Sequence, residues 1–154
     1  MRTPYVAGNW KMNLDRRAAR DLAVAVREHA AGGVDVGLFP AMVHLDEVTR
    51  ATAGSHVKVG GQNCSDEQEG AFTGEVSAAM LAEAGVRYVI IGHSERRQYF
   101  GEQDDDFVRK IDLVHQAGLK AIFCYGEVLD ERKSGRAQAV VEAMAKAALP
   151  AAKA

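Results

Sequence analysis

Cysteine and long apolar runs are both scarce in this chain of 154 residues. The two cysteines, Cys64 and Cys124, lie far apart without metal-type spacing, so we expect reduced thiols and no metal site. No run approaches the roughly 18 apolar residues of a membrane span, and the polar amino terminus does not resemble a signal peptide. With a net charge of −2 and no long basic block, the sequence predicts a cytoplasmic protein that binds neither nucleic acid nor membrane.

Short apolar runs alternate along the chain with longer helical patterns. The predicted strands are 5–9, 34–39, 57–61, 88–92 and 120–125. Several are continuously apolar, which is typical of strands buried on both faces of a parallel sheet. The predicted helices are about 15–31, 44–53, 77–84, a segment beginning at 104, and 136–148, with Pro150 after the last. This alternation predicts the α/β class with a parallel sheet.

No linker-like stretch divides the sequence, so we predict a single domain over residues 1–154, with a frayed tail from residue 147. The pattern alone is compatible with two closures, an open doubly wound sheet or part of a (β/α) barrel. The first predicted strand ends in Asn9-Trp10-Lys11 instead of a glycine-rich turn. This disfavours a dinucleotide-binding fold.

Polar residues at the ends of two predicted strands carry the most specific functional signal. Asn9 and Lys11 follow the first strand, and Gly92-His93-Ser94-Glu95 follows the fourth. A β-branched run ending in this way indicates a strand that turns directly into a helix. Ligands of a barrel bind at the carboxyl ends of its strands. Taken singly, Lys11 is more typical of a solvated surface lysine, and Asn9 is also typical of a turn residue bonded to its own backbone.

Several motifs resemble triosephosphate isomerase in order and spacing. They are Ala7-Gly8-Asn9-Trp10-Lys11-Met12-Asn13, Gln62-Asn63 with the stretch 69–77, Ile90-Ile91-Gly92-His93-Ser94-Glu95-Arg96-Arg97, Phe100-Gly101-Glu102 and Cys124-Tyr125-Gly126-Glu127. The resemblance covers nearly the whole chain but only five of the eight βα units of that barrel. It implies a partial TIM (β/α)8 barrel. It also implies the glycolytic interconversion of glyceraldehyde 3-phosphate and dihydroxyacetone phosphate, without a cofactor.

The resemblance also implies individual roles at the two strand ends. Lys11 corresponds to the lysine that attracts the substrate phosphate, and Asn9 to a residue that hydrogen-bonds substrate oxygens. His93 corresponds to the electrophile, acting as a neutral imidazole, which agrees with the positive end of a helix dipole. Glu95 corresponds to the carboxylate that positions Lys11. Ser94 is expected to cap the following helix.

Loop 63–76 is long for a connection between a strand and a helix. The resemblance implies that it inserts into the neighbouring subunit of a homodimer, whereas the loop alone is also typical of a solvent-exposed lid. The residues assigned to this interface are Met12, Asn13, Phe72, Thr73, Gly74, Glu75, Arg96 and Glu102.

The general base of the family is a glutamate in a Tyr-Glu-Pro-Val-Trp segment, which this sequence does not contain. The lid and the two glycine-rich phosphate loops of the family do not occur either. Lys11 and His93 supply electrostatics only, so we predict that this chain alone has no appreciable isomerase turnover.

Three functional hypotheses remain open. The chain is an inactive enzyme-derived module, a subunit that needs a complementing chain, or a non-catalytic scaffold. Five strands leave two sheet edges, and apolar residues expected to point inward lose the strands opposite, so we predict a homo-oligomer. It is either a dimer through the Phe72-Thr73-Gly74 loop or a larger assembly that pairs the open faces. These inward residues are Val6, Val36, Leu38, Val89, Ile91 and Ile122.

Overall fold

The computed structural model describes residues 3–30 and 32–148. Within these ranges the strands are Tyr5–Asn9 (β1), Asp35–Phe39 (β2), Lys58–Gly61 (β3), Tyr88–Ile91 (β4) and Lys120–Phe123 (β5). The α-helices are Arg16–His29 (α1), Leu45–Ala51 (α2), Ala78–Glu83 (α3), Ser94–Phe100 (α4), Asp104–Gln116 (α5), Leu129–Lys133 (α6) and Ala137–Ala148 (α7). A 3₁₀ turn, Met42–His44, precedes α2.

The five predicted strands are therefore present within one or two residues of their predicted bounds. The helix α6 and the 3₁₀ turn were not predicted, because each is too short to show a helical period. The predicted frayed tail is helical at residues 147 and 148, and the rest of it, with Pro150, lies outside the described residues. In the described part of the chain, no helix has the length and apolar character needed to cross a membrane.

The sheet is parallel and its strands follow chain order, β1-β2-β3-β4-β5. A doubly wound sheet reverses its strand order at a switch point, and this sheet does not. The sheet also curls, because the rings of Tyr5 on β1 and Tyr88 on β4 approach to 5.1 Å between centroids although β2 and β3 lie between them. The partial barrel is confirmed, and β1 and β5 form the two edges of the described sheet.

The main core lies between the convex face of the sheet and the helices. Leu38, Val89 and Ile91 are buried there in one cluster with helix residues such as Leu81 of α3 and Ile111 of α5. The methyl groups of Leu81 also approach the outer side of β3 at Gly61. This convex core is continuous across the sheet and stabilises the half-barrel without any strand on the opposite side.

The prediction that the apolar strand residues point into the barrel is wrong for most of them. Val36, Leu38, Val89 and Ile91 face the helices, and Val6 faces the same side because it pairs with Val36. Ile122 does face the concave side. It pairs with Ile90, which follows Val89 in the strand and therefore points to the opposite face. Continuously apolar strands carry no alternation from which the buried face can be read.

The concave face is covered by aromatic rings that lie over glycines. A Cβ at Gly37 would collide with the Tyr5 hydroxyl group, and one at Gly60 would collide with the Phe39 ring and lie 2.7 Å from the Tyr88 carbonyl oxygen. The two glycines therefore allow the rings to lie against the sheet. Burial, with a smaller effect of the neighbouring Tyr88, raises the pKa of Tyr5.

Candidate active site

The side chains of Lys11, His93 and Glu95 come together at the carboxyl ends of β1 and β4. The Lys11 Nζ donates a hydrogen bond of 2.5 Å to Glu95 Oε1, although the two residues are 84 positions apart. The hydrogen bond from Lys11 lowers the pKa of Glu95. The carboxylate therefore fixes the ammonium group at this edge of the barrel.

The protonation of His93 follows from its backbone contact. The amide N–H of Glu95 donates to His93 Nδ1 at 3.2 Å, and a backbone N–H can only donate. Nδ1 is therefore unprotonated, the proton lies on Nε2, and the ring is neutral. The 3.5 Å separation of Nδ1 from Glu95 Oε2 is consequently not an ion pair.

The same contact corrects the prediction for Ser94. His93 is the N-cap of α4, since its ring nitrogen satisfies a free amide of the first turn, and Ser94 is the first helical residue. Serine is the stronger capping residue by propensity. Here α4 begins at Ser94 itself, so the residue before it, His93, occupies the N-cap position.

The backbone around Lys11 is held in an uncommon conformation. Lys11 has a φ of 53°, in the left-handed region that costs a non-glycine residue about 1–2 kcal/mol. Its amide donates to Asn9 Oδ1 at 3.0 Å, and its carbonyl oxygen accepts from Gln62 Nε2 at 2.9 Å. Asn9 thus shapes the turn with its oxygen and keeps its Nδ2 group for other partners.

An open pocket of about 320 Å³ lies beside His93. It is lined by Gly92, His93, Ser94, Arg97, Cys124, Tyr125, Gly126 and Glu127. The Glu127 carboxylate accepts from Arg132 Nε at 2.7 Å, and a backbone hydrogen bond together with Arg132 lowers the pKa of Glu127. In the described residues, no group of three or more His, Cys, Asp or Glu side chains is placed to hold a metal ion.

A buried ionic network lies below the site. Glu102 Oε1 accepts from Arg96 Nε at 2.8 Å and from Lys110 Nζ at 2.6 Å. Lys110, only 3% exposed, also donates to Asn63 Oδ1 at 3.1 Å. Arg96 and Glu102, which the sequence assigned to a subunit contact, are thus joined within the chain. A signal for Lys110 exists in the sequence, because it lies on the apolar stripe of α5 beside Phe107 and Ile111.

Loop 63–76 is fixed at its base and exposed at its tip. The Ser65 amide donates to the Val76 carbonyl at 2.9 Å and closes the loop. Asp66 accepts from Arg109 Nη2 at 2.8 Å, and this arginine lowers the pKa of Asp66. At the tip, Phe72 is 45% exposed.

Apart from Arg96 and Glu102, the other residues assigned to the interface are also accessible. Thr73, Gly74 and Glu75 continue the exposed tip, in a turn closed by the Glu75 amide. Met12 is 94% exposed, and Asn13, also exposed, donates its Nδ2 to the Trp10 carbonyl at 2.8 Å. The predicted tip and the predicted receiving residues therefore both lie on the surface.

Parallel strands curled into a partial barrel, with a lysine, a neutral histidine and a glutamate at their carboxyl ends, define an α/β-barrel protein with an enzyme-type site. Comparison with known proteins identifies which barrel this is. A profile of the triosephosphate isomerase family matches residues 4–154, and the chain belongs to that family.

Three bacterial relatives illustrate the similarity. The triosephosphate isomerase of Carboxydothermus hydrogenoformans is 49% identical over 146 residues, which are 92% of this chain and 57% of the relative. That of Chlorobium phaeovibrioides is 51% identical, covering 92% of this chain and 58% of the relative. That of Ligilactobacillus salivarius is 44% identical, covering 97% of this chain and 60% of the relative. The chain therefore spans under two thirds of the length of these relatives.

Proposed function

We propose that this chain forms the electrostatic part of a triosephosphate isomerase site, which interconverts glyceraldehyde 3-phosphate and dihydroxyacetone phosphate. The observation that carries the proposal is the pairing of a neutral His93, protonated on Nε2, with a Lys11 ammonium fixed by Glu95 at 2.5 Å. Both groups lie at the strand ends where barrel enzymes bind substrate. Membership of the family supplies the reaction.

The proposed roles follow from the charge that the reaction creates. Removal of a proton beside a carbonyl group places negative charge on the carbonyl oxygen. The Nε2–H of His93 donates a hydrogen bond to that oxygen, and the Lys11 ammonium stabilises the same charge and attracts the phosphate. Asn9 has its Nδ2 group available for a substrate oxygen, since its Oδ1 is bonded to the Lys11 amide.

We also propose that the chain has no turnover alone, because Glu95, beside the His93 ring, and Glu127, which lines the same pocket, are poor bases. Glu95 lies on the Nδ1 side of the ring and is bound to Lys11, and Glu127 is bound to Arg132. Their neighbours lower the pKa of both carboxylates, whereas an efficient general base has a pKa near the working pH. A complementing chain with the remaining βα units would supply the base.

The test is a coupled isomerase assay of the chain alone and mixed with the last three βα units of a relative. We expect no activity above an empty-vector control for the chain alone, and turnover in the mixture. Lys11→Met and His93→Gln should each reduce that turnover by roughly 100-fold or more, the typical effect of removing one such donor. Lys133→Met, on exposed α6, is the matched control and should leave it unchanged. Turnover by the chain alone, or a mixture insensitive to both site variants, would contradict the proposal.

We further propose that the chain is a single domain that associates as a homodimer through loop 63–76. The support is an exposed aromatic tip at Phe72 and a highly exposed Met12 on the segment that follows β1. Sedimentation at micromolar concentration is expected to give a dimer for the parent and a monomer for Phe72→Glu. Leu129→Glu changes an equally apolar exposed residue of α6 and should remain dimeric. A monomeric parent would refute the interface.

A further inference from the structure

The segment between β1 and α1 contains both non-glycine residues with a positive φ in the described chain. Lys11 has a φ of 53° and Leu14 a φ of 73°. An L-residue rarely adopts this conformation unless its surroundings hold it there. The segment 11–14 must therefore be restrained by contacts from outside itself.

Side chains from two neighbouring loops supply that restraint, one at each end of the segment. Gln62 Nε2, after β3, donates to the Lys11 carbonyl at 2.9 Å and to the Phe39 carbonyl at 2.8 Å. His44 Nε2, after β2, lies 3.1 Å from the Leu14 carbonyl. The carbonyl groups of the two left-handed residues are thus the ones that these side chains bind.

Within the described part of the chain, the His44 ring makes one hydrogen bond, the contact with the Leu14 carbonyl. The side chain is buried at the end of the 3₁₀ turn, and a carbonyl oxygen can only accept, so the proton lies on Nε2. Nδ1 is buried and has no hydrogen-bond partner among the described residues. The contact with Leu14 is therefore the hydrogen bond that this buried imidazole makes.

We propose that His44 is a positioning residue for Lys11, acting with Gln62 to hold segment 11–14 so that the ammonium group reaches Glu95. The Lys11 side chain is 50% exposed, so packing alone does not direct it, and the position of its backbone sets whether the ammonium group reaches Glu95. The functional meaning of this restraint rests on the role proposed above for Lys11. Its physical basis, the bond from His44 to Leu14, does not.

The test compares His44→Gln with His44→Asn. The glutamine amide nitrogen reaches the position of Nε2 and keeps the bond to Leu14, whereas the shorter asparagine reaches only the position of Nδ1. Two readouts report on the segment directly. They are hydrogen exchange of the Lys11 amide, bonded to Asn9 Oδ1 at 3.0 Å, and the emission of Trp10, the single tryptophan of the chain.

In His44→Asn we expect the Lys11 amide to exchange roughly fivefold faster, the factor expected for loss of one hydrogen bond, with a shift in Trp10 emission. His44→Gln should retain parental values in both measurements. The Cys124 amide, bonded to the Ile91 carbonyl at 2.8 Å on the far side of the sheet, should be unchanged throughout. His29→Ala removes a comparable histidine–carbonyl contact at the other end of α1 and should alter neither readout.

Unchanged Lys11 exchange in His44→Asn would overturn the proposal, as would equal acceleration of the Cys124 amide or failure of His44→Gln to restore the parental values. If His44→Asn does not fold, Gln62→Glu tests the other restraint on segment 11–14. It replaces the donor on the Lys11 carbonyl by a carboxylate, and parental Lys11 exchange in that variant would likewise overturn the proposal. None of these readouts requires turnover, so failure of the proposed isomerase function leaves them interpretable.

Discussion

Replacing Lys110 with methionine is expected to destabilise the chain more than an average core substitution. The ammonium group is buried and lies 2.6 Å from Glu102 Oε1 and 3.1 Å from Asn63 Oδ1. Methionine retains most of the aliphatic length, so little cavity forms and the change removes chiefly the charge. The Glu102 carboxylate then keeps Arg96 but loses its buried partner.

The expected loss in the free energy of unfolding follows from the cost of a buried charge that is only partly compensated. Removing one partner of a buried ion pair costs about 3–5 kcal/mol. The lower end applies here, because Arg96 still donates to Glu102 through Nε and Nη2. Since a domain of this size has a free energy of unfolding of about 5–15 kcal/mol, a loss of about 3 kcal/mol is easily measured.

Urea denaturation followed by circular dichroism measures this loss. Arg50→Met removes the exposed pair with Asp46, whose arginine is 66% exposed, and should cost less than about 0.5 kcal/mol. The double variant Lys110→Met/Glu102→Gln should recover part of the loss, because it also removes the buried negative charge that Lys110 no longer compensates. If the free energy of unfolding of Lys110→Met lay within about 1 kcal/mol of the parent value, the charges of Lys110 and Glu102 would not be desolvated as the structure implies. The reasoning would then fail.

Three further outcomes follow from the structure. The lowered pKa of Asp66 means that its pairing with Arg109 stabilises the fold above the unfolded pKa of about 3.9 and is lost as the pH falls through the lower folded value. Asp66→Asn should therefore cost less than about 1 kcal/mol at pH 7 in urea unfolding, a difference that disappears in acid. Burial raises the pKa of Cys64 to about 12, so a thiol reagent should modify the partly exposed Cys124 first and Cys64 only after unfolding; rapid labelling of both in the native protein would contradict this. Gly60→Ala, whose Cβ has no room beside the aromatic ring of β2, should lower the free energy of unfolding by about 1–3 kcal/mol, and an unchanged urea midpoint would disprove that crowding.

The strands were predictable because their signal is local. Each is a short run that contains at least one β-branched residue, and the observed bounds differ from the predicted ones by at most two residues. The direction in which they face was not predictable from the same runs. Val89 and Ile91 face the helices while Ile90 between them faces the concave side, yet all three are apolar. Closure depends on strand pairing across the whole sheet, so the barrel came from the resemblance alone.

The residues of the candidate site likewise include some that the sequence could indicate and some that it could not. Asn9, Lys11 and His93 occur in recognisable motifs at strand ends, so the sequence indicated them. Gln62 and His44 contact carbonyl groups that lie 51 and 30 residues away from them in the sequence. Nothing local in the sequence signals such contacts.

Charge balance explains what this half of the proposed site contributes. Lys11 is already paired with Glu95, and His93 is neutral, so the three groups together carry no net charge before substrate binds. An imidazolium at this position would add a positive charge that interacts with substrate and transition state alike. Only interactions that strengthen as the reaction proceeds lower the barrier. A neutral Nε2–H donor gains most when negative charge develops on the carbonyl oxygen. This is why the amide of Glu95, which keeps Nδ1 unprotonated, matters as much to the proposed chemistry as the carboxylate of the same residue.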